Sequence, residues 1–144
     1  MQGGAPGRSP VLADTSALFS LIYTRDTHHI RVRQALETLA VERRLLHTTN
    51  YIVAEAHALF LNRLGRDIGE RFLRETLRGD IAVVQALPDD ERRAREIIFA
   101  YTDKDFSLTD ALSFAVMERQ GIRDAFTLDS HFTQFGFTAY PRTG

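Results

Sequence analysis

The chain has 144 residues, of which 44% are hydrophobic and 26% charged, a balance typical of a single globular domain. It contains no cysteine, which excludes a disulfide scaffold, a cysteine-based zinc site and a thiol nucleophile. The formal net charge is -1, so the chain lacks the overall basicity of an obvious nucleic-acid-binding protein. No apolar run is long enough for a membrane helix and the N-terminus has no apolar signal core, so we expect a cytoplasmic protein.

The hydrophobic pattern predicts short strands that alternate with amphipathic helices. Residues 1–10 are expected to form a flexible tail, and residues 11–144 to form one domain. In chain order the predicted elements are a strand at 11–13, helices at 16–23 and 28–44, a strand at 45–48, helices at 51–64 and 67–78, a strand at 81–87, helices at 88–100 and 109–120, a strand at 125–128, a short helix around His131 and an edge strand at 137–140. This alternation favours an α/β fold with a mainly parallel central sheet flanked by helices.

Local signals support several of these boundaries. Asn50 is predicted to cap the helix at 51–64, which Gly65 ends. Ser107 and Asp110 have the spacing of a capping box at the start of the helix that Gly121 ends. Glycine-rich phosphate loops, a serine nucleophile elbow and a His-Glu-x-x-His zinc motif are absent from the sequence, which argues against those enzyme classes.

Four carboxylates stand where a parallel sheet of this kind binds its ligands. Asp14 ends the first strand, Asp129 follows a late strand, Asp110 opens a helix, and Glu55 lies one turn into the helix after the second strand. The carboxyl ends of parallel strands share one edge of the sheet, so we expect these side chains to converge there. Taken singly, each aspartate is explained better as a helix cap or turn residue.

Glu55 is harder to explain as a purely structural residue. Its helical neighbours at i-3 and i+4 are Ile52 and Leu59, so it is predicted on or beside the buried stripe of its helix. A buried carboxylate needs a partner, because removing an unpaired charge from water is costly. His131 lies close after Asp129 and could approach a site there, but it is interpreted in preference as a surface or capping histidine.

Converging carboxylates repel one another, and a divalent cation relieves that repulsion. Oxygen ligands without cysteine or histidine favour a hard ion, Mg²⁺ or Mn²⁺. Such an ion activates a water molecule and neutralises charge on a phosphodiester undergoing hydrolysis. The four acids therefore indicate metal-dependent phosphodiester hydrolysis without a covalent protein nucleophile.

Four segments, in order and suitably spaced, resemble the PIN domain family, and within it the VapC-like toxins of prokaryotic toxin–antitoxin modules. These segments are VLADTSAL at 11–18, TTNYIVAE at 48–55, DFSLTDAL at 105–112 and AFTLDSHF at 125–132. The resemblance extends over residues 11–140. It implies a parallel sheet with an acidic pocket at its carboxyl edge, and an endonuclease that cuts single-stranded RNA with Mg²⁺ or Mn²⁺.

The resemblance also implies roles for individual residues. Asp14, Glu55, Asp110 and Asp129 match the catalytic, metal-binding acids, with Asp14 and Asp110 most central and Asp129 acting through water. Thr15, Ser16 and Thr127 match polar positions that orient waters or carboxylates. Asp105 is a weaker candidate because its register in a loop is uncertain.

Partners follow from the same resemblance. VapC-like toxins are usually homodimers, and an antitoxin covers the active site with its tail. The helices of residues 28–78 are candidates for the dimer face and the antitoxin groove. Five arginines near the site are candidates for an RNA path: Arg25, Arg31, Arg33, Arg63 and Arg66. Solvated helix faces explain these arginines equally well.

Several alternatives remain open from sequence alone. A standalone RNA-processing PIN nuclease has the same residues, and a non-catalytic RNA-binding PIN-like module has the same fold. A phosphoaspartyl fold is disfavoured because Thr15 and Ser16 follow Asp14, where a phosphatase needs a second acid, and because Lys104 lies in a polar loop. The RNA target and the number of metal ions are not determined by the sequence.

Overall fold

A computed structural model describes residues 9–142, so most of the predicted tail lies outside the described residues. The strands are β1 (Val11–Ala13), β2 (Leu46–Thr49), β3 (Ile81–Val84), β4 (Asp124–Phe126) and β5 (Thr138–Tyr140). The helices are α1 (Thr15–Ile22), α2 (His29–Val41), α3 (Asn50–Leu64), α4 (Arg66–Arg78), α5 (Pro88–Ala100), α6 (Leu108–Gln120) and α7 (His131–Phe135). The predicted α/β class and order of elements are confirmed. Within residues 9–142, no helix is both long and apolar enough to cross a membrane.

All five strands pair in parallel, in the order β3-β2-β1-β4-β5. β1 lies at the centre, and its three residues are fully buried, as expected for a strand covered on both faces. From the central β1, the chain adds β2 and then β3 on one side of the sheet, and it then crosses to the other side to add β4 and β5. Because such crossovers are right-handed, α1–α4 cover one face and α5–α7 the other.

Among the boundaries that differ from the prediction, the start of α3 and the end of β3 are related. Thr49, and not Asn50, caps α3, and its side chain accepts a hydrogen bond from the Ile52 N–H at 3.1 Å. The Asn50 side chain instead accepts a hydrogen bond from the Ala86 N–H at 2.9 Å. Val84 pairs with Thr49, the last residue of β2, so β3 ends there rather than at residue 87, and the Ala86 N–H bonds to a side chain instead of to a strand.

An aromatic cluster anchors the last third of the chain. Phe114 of α6 stacks on Phe135 with ring centroids 4.6 Å apart, and it meets Phe106 and Phe132 edge to face at 5.1 Å each. Burial of such rings is among the largest apolar contributions available to a small domain. The cluster holds α7, and the loop that precedes α6, against Phe114 of α6.

An ion pair between an exposed arginine and a buried aspartate joins α5 to α6. Arg119 donates three hydrogen bonds, between 2.8 and 3.1 Å, to the carboxylate of Asp90, which is only 3% exposed. Asp90 also accepts the Leu87 N–H at the start of α5. The hydrogen bond from Arg119, with help from the Leu87 N–H, lowers the pKa of Asp90 against the opposing effect of burial.

We predict that Asp90→Ala lowers the free energy of unfolding by about 2–3 kcal/mol at pH 7, because it leaves Arg119 and the start of α5 without their partner. A lowered pKa means that the contribution of Asp90 is present above its unfolded-state value and is lost as the pH falls through its folded-state value. Urea unfolding at pH 7 and pH 3 should therefore show a smaller loss at pH 3. Asp89→Ala is the control, since Asp89 pairs with Arg92 on the surface; an equal loss in both variants would contradict the prediction.

Candidate active site

The candidate site lies at the carboxyl edge of the sheet, between β1 and β4. These two strands are neighbours, but the connections from them lead in opposite directions, and such a reversal opens a crevice at the strand ends. Ala13 pairs with Phe126, so Asp14 and Thr127 leave the sheet side by side. The Asp14 N–H donates to the Phe126 carbonyl at 2.9 Å and holds the two chain segments together.

Asp14 occupies the N-cap position of α1, but its side chain makes no capping hydrogen bond. Its Oδ2 accepts hydrogen bonds from the hydroxyls of Ser16 at 2.9 Å and Thr127 at 3.0 Å. The residue is 4% exposed. The interpretation of Asp14 as a simple helix cap is therefore wrong, and two hydroxyls fix its orientation instead.

The same hydroxyls organise the loop after β4. Ser16 Oγ accepts the Leu128 N–H and Thr127 Oγ1 accepts the Asp129 N–H, each at 2.9 Å. A hydroxyl has one proton to donate, and both protons are given to Asp14. Each hydroxyl thus links the carboxylate at the end of β1 to the backbone that presents Asp129.

Burial raises the pKa of Asp14 to about 6 from its ordinary value of 3.8. The hydrogen bonds from Ser16 and Thr127 act in the opposite direction, and the negative charges of Asp129 and Asp110 raise the pKa further. Asp110 and Asp129 therefore lie close enough to Asp14 to affect its pKa, as expected for carboxylates at one edge of a parallel sheet.

Asp110, Asp129 and His131 form the tightest polar group of the site, with one potential ligand atom of each within 4.8 Å of the others. His131 Nδ1 lies 2.8 Å from Asp110 Oδ2 and 3.4 Å from Asp129 Oδ1. Burial lowers the pKa of His131, but the hydrogen bond to Asp110 and the neighbouring acids, Asp129 first, outweigh it and raise the pKa. The interpretation of His131 as a surface or capping histidine missed this contact. Its position two residues after Asp129 indicates proximity to Asp129, whereas the hydrogen bond with Asp110 arises from the packing of α7 on α6.

Asp110 is a capping residue, as predicted, and it also has a second role in the acidic group. Asp110 Oδ2 accepts the Ser107 N–H at 3.1 Å, and Ser107 Oγ accepts the Asp110 N–H at 3.0 Å, which completes the predicted capping box. The same oxygen also meets His131. One carboxylate therefore both starts α6 and belongs to the acidic group, and it is 8% exposed.

Glu55 differs from its prediction, because it is exposed rather than part of the buried stripe of α3. Ile52 and Ala56 face the core, and the side chain between them on the helix surface turns towards α1. There Glu55 Oε1 accepts a hydrogen bond from the Thr15 hydroxyl at 2.6 Å. Thr15 directly follows Asp14, so Glu55 is joined to the site through Thr15 and does not belong to the tight group around His131.

All four acids use one carboxylate oxygen for hydrogen bonds and leave the other without one among residues 9–142. The engaged oxygens are Asp14 Oδ2, Glu55 Oε1, Asp110 Oδ2 and Asp129 Oδ1. Carboxylates that are oriented by the protein and keep a free oxygen have the donor chemistry that a hard divalent cation requires. The residues present therefore fit Mg²⁺ or Mn²⁺, while their roles as ligands remain predictions.

The remaining candidates of the sequence analysis lie in different surroundings. Asp105 is exposed in the loop before α6, and its charge reaches His131. Arg66 pairs with Glu70 at 2.7 Å, and Arg63 lies over the ring of Phe19, so both have intramolecular partners.

Comparison with known proteins identifies the family. The PIN domain model matches residues 11–138, and the chain therefore belongs to the PIN domain family. The site described above lies within the matched region, at the sheet edge that the resemblance implies.

Individual relatives extend this comparison. The chain is 28% identical over 127 residues to the 23S rRNA-specific endonuclease VapC20 of Mycobacterium tuberculosis, in strains H37Rv and CDC 1551, with 88% of this chain and 95% of the relative covered. The crystal structure of Mycobacterium tuberculosis VapC20, a sarcin–ricin loop cleaving toxin, superposes with a TM-score of 0.81 and 27% identity, at 88% and 95% coverage. A toxin–antitoxin complex from Klebsiella pneumoniae shares the fold at 18% identity, with a TM-score of 0.63 and 83% and 87% coverage.

We predict that, without metal, the effect of Asp14→Asn on the free energy of unfolding is more favourable at pH 7.5 than at pH 4. Asparagine retains an oxygen for Ser16 and Thr127 but carries no charge. Because the folded-state pKa of Asp14 is raised, its favourable contribution is complete below the ordinary value of 3.8 and is lost as the pH rises through about 6. This corresponds to about 3 kcal/mol, which the variant does not lose.

Urea unfolding of both proteins in EDTA at pH 4 and pH 7.5 measures this effect. The stability of the variant minus that of the wild type should increase between the two pH values. A difference that stays constant would show that Asp14 is not ionised against a burial cost.

Proposed function

We propose that this protein is a metal-dependent endoribonuclease and the toxin of a toxin–antitoxin pair. The observation that carries the proposal is a set of four oriented carboxylates at the carboxyl edge of the sheet of a PIN domain. Each has one oxygen that forms no hydrogen bond with residues 9–142. The VapC20 relatives, which are endonucleases specific for 23S rRNA, support it. A non-catalytic RNA-binding module has no use for acids that repel a polyanion.

In this proposal Asp14, Asp110 and Asp129 hold Mg²⁺ or Mn²⁺, with Glu55 completing the set. When bound, the ion supplies charge neutralisation at the scissile phosphate and lowers the pKa of an attacking water. Ser16 and Thr127 keep Asp14 in one orientation, so that no reorganisation is needed during the reaction.

Glu55 has a distinct proposed role. It is the most exposed of the four acids, and the Thr15 hydroxyl fixes one of its oxygens at 2.6 Å. An oriented carboxylate open to solvent is suited to accept a proton from water as hydrolysis proceeds. Thr15 thereby positions the acid without contacting the reacting atoms.

The substrate class in this proposal is RNA, and the first target to test is the sarcin–ricin loop of 23S rRNA. The support is the similarity to VapC20, which covers 95% of that relative. An antitoxin that covers the acidic site and a homodimer of this chain complete the proposal. The apolar stripes of the helices between residues 28 and 78 provide candidate surfaces for both.

We expect purified protein to cut a synthetic sarcin–ricin loop in Mn²⁺ or Mg²⁺ and to be inactive in EDTA. Asp14→Asn and Asp110→Asn should each reduce the cleavage rate by more than about 100-fold, and Thr127→Val by about 10–100-fold through the orientation of Asp14. Gel analysis of end-labelled RNA measures the rates, and unstructured RNA serves as a second substrate.

The matched control is Asp80→Asn, at an exposed position that precedes β3 at the opposite edge of the sheet. It should cut at the wild-type rate. Metal-independent cutting, or full activity of Asp14→Asn, would contradict the proposed chemistry. Calorimetry with Mn²⁺ tests the site independently, because binding should be present in the Asp80 variant and weakened in the Asp14 variant.

The toxin role predicts that induced expression arrests bacterial growth and that Asp14→Asn relieves the arrest. Co-expression of a small reading frame adjacent to the gene should restore growth if it encodes the antitoxin. Growth curves with and without that partner measure both effects. Cleavage in vitro without growth arrest would favour the standalone RNA-processing nuclease over the toxin.

A further inference from the structure

A groove leads away from the acidic site along α2. Its inner part is a cavity of about 150 Å³ beside Asp129, bounded by the N-terminal end of α2, the loop after β4 and the end of β5. Its outer part is a cavity of about 310 Å³ between α2 and the residues after β5. Arg31 and Pro141 line both cavities, so they form one path, which we call the α2–β5 groove.

The inner cavity has the surface chemistry of a nucleotide site. Leu128 and Pro141 provide apolar contacts, and Ser130 and Thr133 provide hydroxyls. An apolar cavity of about 150 Å³ accommodates a benzene ring in other proteins, which is the size of a single aromatic heterocycle. A base placed here would have its phosphate close to Asp129, which borders the same cavity.

The charges along the groove are arranged to bind an anion. Arg31 is exposed and forms no ion pair within residues 9–142, whereas Arg66, Arg74 and Arg92 pair with acids on their own helices. Arg142 lines the outer cavity, with its guanidinium 5.5 Å from the centre of the Tyr140 ring.

The arginines of the groove can offset the repulsion between the four acids and the phosphates of an RNA strand. Asp14, Asp110, Asp129 and Glu55 repel the phosphates of any RNA strand, so cations must hold the strand on either side of the reacting phosphate. Arg31, which pairs with no carboxylate in the described part of the chain, lines the same cavity as Asp129, one of the four acids.

We propose that the α2–β5 groove binds the RNA nucleotides next to the cleavage point. The inner cavity takes one base against Leu128 and Pro141, and Arg31 binds the phosphate that follows, with Arg142 further along the strand. This inference rests on the proposed nuclease function, and it makes the inner cavity a determinant of which RNA sequence is cut.

Two variants separate the two parts of the groove. Arg31→Ala removes the phosphate contact and is compatible with helix α2, because alanine is a strong helix former. Thr133→Trp fills the mouth of the inner cavity without a change of charge. The control is Arg78→Ala, since Arg78 is exposed at the C-terminus of α4, immediately before β3 and so at the far edge of the sheet.

The first measurement is the binding of a short fluorescent RNA by anisotropy, in Ca²⁺, at several salt concentrations, with a gel to show that the RNA stays intact. Arg31→Ala should bind about tenfold more weakly than wild type. Its salt dependence should be shallower by about one phosphate contact. Thr133→Trp should weaken binding without a change in that slope, and it should alter the preferred cleavage position in Mn²⁺. Calorimetry should show unchanged Mn²⁺ binding in all three variants.

The outcomes are distinguishable from failure of the proposed function. If wild-type protein cuts RNA and Arg31→Ala behaves like Arg78→Ala, the groove is not the RNA path although the nuclease proposal stands. If Arg31→Ala loses affinity only for an antitoxin peptide, the groove is a protein-binding surface and the inference is wrong. If wild-type protein neither binds nor cuts RNA, the proposed function itself fails and this inference with it.

Discussion

The site depends on the two hydrogen bonds that the hydroxyls of Ser16 and Thr127 donate to the Asp14 carboxylate. Ser16 and Thr127 each donate to one oxygen of this carboxylate and accept a backbone N–H from the loop after β4. A carboxylate at a strand end can adopt several side-chain orientations, and the two hydrogen-bond donors select one of them. Two of these bonds, from the Thr127 hydroxyl to Asp14 and from the Leu128 N–H to Ser16, join the segments that follow the first and the fourth strand, so Asp14 and Asp129 keep a fixed relative position.

Much of the fold and part of the site follow from sequence because their causes are local. Alternating strands and helices specify a parallel sheet, and in such a sheet Asp14 and Asp129 must emerge at the same edge. The exposure of Glu55 could not be read in this way. Its neighbours Ile52 and Leu59 suggest burial, but whether a residue beside a helical stripe is covered depends on the neighbouring helix. Here Thr15 meets Glu55 through one hydrogen bond, and the residue stays open to solvent.

His131 illustrates a different limit of sequence reasoning. Its distance from Asp129 along the chain is visible in the sequence, but its contact with Asp110 depends on how α7 docks against α6. That docking is determined by the aromatic packing around Phe114, which brings together rings from positions spread over the last forty or so residues of the chain. Side chains that meet through tertiary packing of this kind leave no periodic signal.

Because Asp110 also caps α6, we expect mutations of Asp14 and of Asp110 to have different effects on stability and therefore different fates in evolution. Asp14 is a charge held in the protein interior at a cost, so under the proposed function its loss would ease folding while ending catalysis. Asp110 completes the capping box of α6, so its loss would weaken a helix and, under the proposed function, remove activity at the same time. Under selection against a harmful activity, surviving lineages should therefore accumulate inactivating changes at Asp14 more often than at Asp110. A degenerate copy of this gene would be expected to keep the capping aspartate long after the buried one has gone.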